Sequence, residues 1–307
     1  MTQAAPPSLQ QPSQTVLRGL LDRRPGLGTE RAVEPADDAV ARGLATAKVY
    51  AFASVDFPGA ATSLVVDNNG TTAVGGFDFD PADTKPITAF TFAGGAYEIL
   101  TVPNSTVSLA TGVNADGVII GLYEDLSGVL HGFAKDASGF TDVDFPGATG
   151  TQAIGINGPG QIVGSFFDAA NVEHGFVSSG GAFTAIDFPG ATRTTAFGIN
   201  APGDLVGGWS DAAAAHGFLR QAGAFTAIDF PLATSTTAFG INDSGEIAGF
   251  YTDAGGNLHG FVFAGGAFST VDVAGARGTQ LTRITNEGAV TGVCIDAVNG
   301  QHGLLGR

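Results

Sequence analysis

The sequence predicts an all-β fold of six four-stranded antiparallel sheets around an axis, and three observations carry that prediction. Only 14% of the 307 residues are charged and 47 are glycine, a composition that favours one large or repetitive β domain. The phrase Val143-Asp144-Phe145-Pro146-Gly147-Ala148 returns, with small changes, at Ile186–Ala191, Ile228–Ala233 and Val271–Ala276, with aspartates 43, 42 and 43 residues apart. The last unit stops at Arg307 after three strands, while residues 50–57 copy the fourth-strand text of residues 223–230.

Residues 1–48 stand apart from the repeats. They hold five prolines and no aromatic residue, with six Lys or Arg against five acids, and are expected to form a flexible or loosely helical tail. Val16, Leu17, Leu20 and Leu21 share one helical face. The acidic excess therefore falls on residues 49–307, where seven basic residues face 24 acidic ones for a net charge of −17. Such a surface disfavours nucleic acid and anionic membrane as partners. No stretch approaches the ~18 apolar residues of a membrane helix, and no signal-peptide core is visible at the N-terminus. The single cysteine, Cys294, offers neither an internal disulfide nor a clustered zinc site.

Earlier copies of the repeat lie at Val55–Ala60 and, decayed, at Thr101-Val102-Pro103, so the count of units is six. A second register, Asn114, Asn157, Asn200 and Asn242, keeps the same period, each residue followed three positions later by glycine. Two phrases sharing one period mark a true repeat. Within a unit, four short runs rich in Val, Ile, Phe, Thr and Ala alternate with turn residues, as in residues 195–200, 204–209, 216–220 and 224–229. These read as strands, with tight turns at Pro202-Gly203 and Asn242–Gly245. Four antiparallel strands per repeat of about 43 residues match one blade of a β-propeller. The N-terminal strand is expected to complete the last blade, which removes open sheet edges. An open solenoid or parallel β-helix is the runner-up, but it calls for a capping end that is not written here. Turn glycines interrupt any long helix, so all-α folds drop out.

The phrases Gly198-Ile199-Asn200-Ala201-Pro202-Gly203, His174-Gly175-Phe176 and Ile186–Ala191 resemble the bacterial HAF-type extracellular repeat. The resemblance spans residues 50–307. It implies a secreted or surface setting and transfers no catalytic signature.

All five histidines, His131, His174, His216, His259 and His302, open the third strand of a blade. With strands about 4.8 Å apart, the third strand lies roughly 15–20 Å from the axis, so the five cannot share one metal ion. They are expected instead to hydrogen-bond the acid preceding each, Asp125, Asp168, Asp211, Asp253 and Asp296, and so pin the loop between second and third strands. A single pair such as Asp168 and His174 is the weak metal alternative. The fourth-strand aspartates Asp56, Asp144, Asp187, Asp229 and Asp272 are expected to staple the turns that follow them. Both acidic sets should share one negative face. No cofactor is expected, calcium being a weak exception without an Asp-x-Asp-x-Asp-Gly loop.

Breaks in the symmetry point to function. Gly112, Gly155, Gly198 and Gly240 occupy one slot on the innermost strands, expected to line the channel, and in the sixth blade the slot is Arg283, in the first Val65. Arg283 is therefore the first candidate ligand clamp, for a carboxylate or phosphate. The alternative is that it neutralises nearby aspartates. In the first blade the loop swells to Asp78–Pro86, where Phe79 and Lys85 are candidate ligand contacts and Asp78 and Asp80 weak catalytic candidates. Trp209 and Tyr251 read as blade packing or a carbohydrate platform. The leading reading is a monomeric binding module that presents its acidic loop face to a glycan, small molecule or protein. The rival is a lyase, isomerase or hydrolase acting on an anionic small molecule or sugar held over the channel by Arg283.

Overall fold

A computed structural model describes residues 49–79 and 86–307; the expected tail over 1–48 lies outside the described residues. Among the described residues the chain forms 24 strands in six antiparallel blades. Strand β1 (Phe52–Val55) comes first and belongs to the last blade, as the copied text in residues 50–57 predicts. Blade 1 comprises β2 (Thr62–Asn68), β3 (Thr72–Asp78), β4 (Thr88–Ala93) and β5 (Ala96–Ile99). Blades 2 to 5 follow over residues 105–142, 150–186, 193–228 and 235–271. Blade 6 is β22 (Gly278–Ile284), β23 (Val290–Ile295), β24 (Gln301–Gly306) and, at its outer edge, β1. Cα partners run from Phe52 with Gly306 to Val55 with Gly303. Ala51 and Arg307 add reciprocal backbone bonds of 2.9 and 3.1 Å.

Each innermost strand carries a β-bulge near its end, at Val65/Asp67 in blade 1 and Leu281/Arg283 in blade 6. An extra residue there bends the strand and sharpens its twist. The core lies between blades. The His-Gly-Phe phrase has a packing reason at each position, because the phenylalanine is wholly buried, as at Phe176, Phe218 and Phe261. The glycine faces the fourth strand so closely that a Cβ on Gly217 would lie 2.5 Å from the Ile228 carbonyl oxygen.

The Phe-Pro-Gly phrase joins consecutive blades. Phe145 stacks on Phe166 at 3.7 Å, Phe188 on Trp209 at 4.1 Å and Phe230 on Tyr251 at 3.6 Å, each pair spanning two blades. The fourth-to-first and second-to-third connections emerge on one face, and the first-to-second and third-to-fourth turns on the other.

Candidate functional site

At one mouth of the axis the first-to-second-strand turns meet in a girdle of amides. Asn69, Asn114, Asn157, Asn200 and Asn242 each accept, through Oδ1, a backbone N–H from their own turn at 2.8–3.0 Å. Each Nδ2 then donates to the carbonyl oxygen of the equivalent residue in the next blade: Asn114 (2.8 Å), Asn157 (3.4 Å), Asn200 (2.9 Å), Asn242 (3.2 Å) and Thr285 (3.1 Å). One side chain thus closes its turn and reaches its neighbour. The sequence shows the turn; the second bond spans a whole repeat and has no local signature.

The girdle breaks between blades 6 and 1. Thr285 holds its own turn by accepting the Ala289 N–H at 3.2 Å, but its hydroxyl cannot reproduce the amide's longer reach. Here the structure corrects the slot assignment. Counting eleven residues from the fourth-strand aspartate gives Gly155, Gly198, Gly240 and Arg283, and the same count from Asp56 gives Asp67 rather than Val65. Nor do the slot glycines simply line the channel. A Cβ on Gly155 would lie 2.5 Å from the Phe197 carbonyl oxygen and one on Gly198 2.6 Å from that of Phe239, so they let the next blade's inner strand approach.

At the remaining seam that space is filled by an ion pair, Arg283 Nε to Asp67 Oδ1, at 3.1 Å. The Asp67 side chain is only 4% exposed. It also accepts the N–H groups of Asn68 (2.7 Å) and of Val113 in blade 2 (3.1 Å), and so ties three blades together. Burial pushes its carboxyl above the usual range, while the guanidinium and the two N–H groups pull it back.

Arg283 borders a recess of about 290 Å³ at this mouth. Its apolar lining is the buried ring Val113, Ile156, Ile199, Ile241 and Ile284. Asp243 and Glu287 are its carboxylates and Arg283 its one cation among the described residues. Asp243 is held by Ala201 N–H and Asn286 Nδ2, both at 2.8 Å, whereas Glu287 is exposed.

The opposite face carries five His–Asp clasps. Each histidine places Nε2 3.4–3.8 Å from the preceding loop aspartate, the partner expected from spacing. The shorter contact, Nδ1 at 2.7–3.2 Å, goes to the fourth-strand aspartate: Asp144, Asp187, Asp229, Asp272 or Asp56. Those aspartates therefore reach back to the third strand instead of stapling the turn ahead. The turn is held by a hydroxyl, Thr151, Thr194 or Thr236 accepting the N–H of Phe145, Phe188 or Phe230 at 2.9–3.0 Å. The loop aspartates are occupied by their own loops; the N–H of Val129 chiefly holds the Asp125 carboxyl down at about 2. Tyr123, Phe166, Trp209 and Tyr251 stack against a clasp histidine. Trp209 is covered on both faces, by Phe188 and His216, and so does not form an open platform for a sugar. Asp168 and His174 lie 3.6 Å apart. Among the described residues no three His, Cys, Asp or Glu side chains are grouped to hold a metal ion.

Phe79 is 53% exposed and packs edge-on against Phe57 and Phe77. Asp78 ends β3 and is buried. Lys85 and Asp80 lie outside the described residues. Phe79 and Asp78 sit on the clasp face, because β3 runs toward it, whereas β22 delivers Arg283 to the girdle mouth. The two breaks in symmetry are therefore at opposite ends of the axis, and Asp78 is not placed to act with Arg283.

No family model matches the chain, and no curated protein is significantly similar to it. Solved structures share its fold. TolB from Acinetobacter baumannii aligns with a TM-score of 0.56 at 11% identity, over 77% of this chain and 64% of that one. A triple arginine-to-alanine variant of AofleA from Arthrobotrys oligospora gives 0.50 at 13% identity, over 83% and 86%. The Trypanosoma rangeli sialidase gives 0.50 at 10% identity, over 80% and 54%. The chain thus spans under two thirds of TolB and about half of the sialidase. At these identities the likeness establishes the propeller fold.

Two outcomes follow from this geometry. Arg283→Ala leaves Asp67 buried without its partner and should cost about 3–5 kcal/mol in urea unfolding. The loss should shrink in acid, as Asp67 takes up a proton. Replacing both residues with glycine, as in the other slots, should recover at least half of it; no recovery would show that the two act independently. The second concerns His259, whose pKa is raised chiefly by its bond to Asp272. A raised folded-state pKa adds stability below the ordinary 6.5 that is lost as pH rises through the raised value. His259→Ala should therefore cost about 1 kcal/mol near pH 6 and less near pH 8.5. An equal cost at both pH values would remove the charge from the account.

Proposed function

We propose that the protein is a non-catalytic binding propeller whose girdle mouth takes a small hydroxylated ligand, a single sugar ring at the end of a glycan. The observation that carries this reading is the recess around Arg283, where an otherwise repeated amide ring is interrupted by a charged pair. A volume of about 290 Å³ lies at the small end of ligand pockets, which run from roughly 300 to 1,000 Å³, and suits one ring.

The lining fits that chemistry. Nε of Arg283 is engaged by Asp67, which fixes the orientation of a side chain that borders the recess. Exposed Glu287 offers acceptors for hydroxyl groups, Asp243 being already held by Ala201 and Asn286, and the isoleucine ring offers an apolar surface for ring C–H groups. One cation against two carboxylates favours a neutral hydroxylated ligand over a phosphate. The alternative, an enzyme pairing Arg283 with an acid of the first-blade loop, loses support because Asp78 is buried at the other face. The extracellular setting implied by the repeat resemblance suits a glycan binder.

The test is a glycan-array screen followed by calorimetry on a retained glycan. Gly158 borders the recess, and a Cβ there meets nothing within 4 Å, so Gly158→Phe should fill the recess without disturbing the fold and abolish binding. Glu287→Ala should weaken it about tenfold, or about 1.4 kcal/mol, at unchanged melting temperature. Failure to retain any glycan, or full binding by Gly158→Phe, would overturn the assignment.

A further inference from the structure

We infer that the clasp face, opposite the recess, docks a basic polypeptide segment bearing leucine-type side chains, with Leu232 as the anchor. In the turn after the fourth strand, four blades place a left-handed glycine, Gly59, Gly147, Gly190 and Gly275, with φ between 79° and 82°. Blade 1 places Asn104 there at φ 58°, a residue type that tolerates this region, and blade 4 places Leu232 there at φ 64°, with 76% of it exposed. A branched side chain in the left-handed region is strained, and exposure leaves its apolar surface in water. Neither folding nor solubility gains from leucine at this position, whereas a contact surface does.

Leu232 has company on the same face. The other large apolar residues exposed among the described residues are Val49, Phe79, Ile99, Leu126, Val129, Val172 and Val298. All except Val49 belong to second-to-third-strand loops or to the end of a fourth strand, and so to the clasp face. They stand among the ten clasp aspartates. Arg193 and Arg277 at this rim are already bonded to Ser210 and Asn299. An acidic surface studded with apolar tips complements a segment in which Lys or Arg alternates with leucine. A second copy of this chain, net −16, would meet like charge with like.

A fluorescently labelled amphipathic peptide made only of leucine and lysine, titrated into the full chain and read by anisotropy, tests this. Leu232→Gly should weaken binding at least tenfold while raising the melting temperature, because it removes strain and keeps every charge. Gly158→Phe, which fills the recess, should leave peptide binding unchanged. The proposal is overturned if Leu232→Gly binds as well as the parent, or if a lysine-only peptide binds as tightly as the leucine–lysine one. It is also overturned if sedimentation shows self-association that Leu232→Gly abolishes, which would make a second copy the occupant.

Discussion

A ring of sheets is stable only if its first and last members meet, and here that junction must be made by residues about 250 positions apart in the chain. Two bonding systems share the work. At the outer edge, β1 completes blade 6 by main-chain pairing with β24. Near the axis, the amide girdle that joins the other blades cannot cross from Thr285, and Arg283 and Asp67 occupy the seam instead. The loop-closure entropy is concentrated at this one junction, because every other blade-to-blade contact lies within about one repeat. A specific charged pair at the seam also identifies which blade must meet which, something six similar interfaces cannot do by packing alone.

The same asymmetry creates the candidate site. Five repeated Asn turns are satisfied internally, and repetition of the clasps on the far face has the same character. A polar group already paired with a neighbour has little left for a ligand. The chemistry available for binding therefore collects where the repeat is broken, at Arg283 on one face and Leu232 on the other. The two faces differ accordingly, one a small polar recess and the other an acidic rim with apolar tips.

Much of the fold was legible because it depends on short-range periodicity. The Asp-Phe-Pro-Gly and Asn-x-x-Gly phrases mark strand ends, and the incomplete final unit announces the role of residues 52–55. The site was less legible for three physical reasons. The Asn69 amide bonds Asn114 in the next blade, a contact that turn chemistry does not encode. The histidines sit between two carboxylates, and spacing alone favours the loop partner over Asp144 or Asp187, which approach through strand pairing. At the first blade the strand text alone points to Val65 for the slot, whereas the offset from Asp56 and the bulge at Val66 put Asp67 there. Without Asp67 in the slot, no particular aspartate is named for Arg283, so its pairing, which the sequence offers only as the alternative to a ligand clamp, becomes visible only in the structure.

Circular closure is most directly tested by a cross-link between Ala53 and Leu305, which are Cα partners across β1 and β24. Cysteines placed at both positions in a Cys294→Ser background, oxidised in the native state and mapped by mass spectrometry, should form a disulfide in high yield. A control pairing Ala53→Cys with Gln221→Cys in blade 4 should not. No link between positions 53 and 305, or an equal yield from the control pair, would contradict the closed six-bladed ring and the seam on which the candidate site is built.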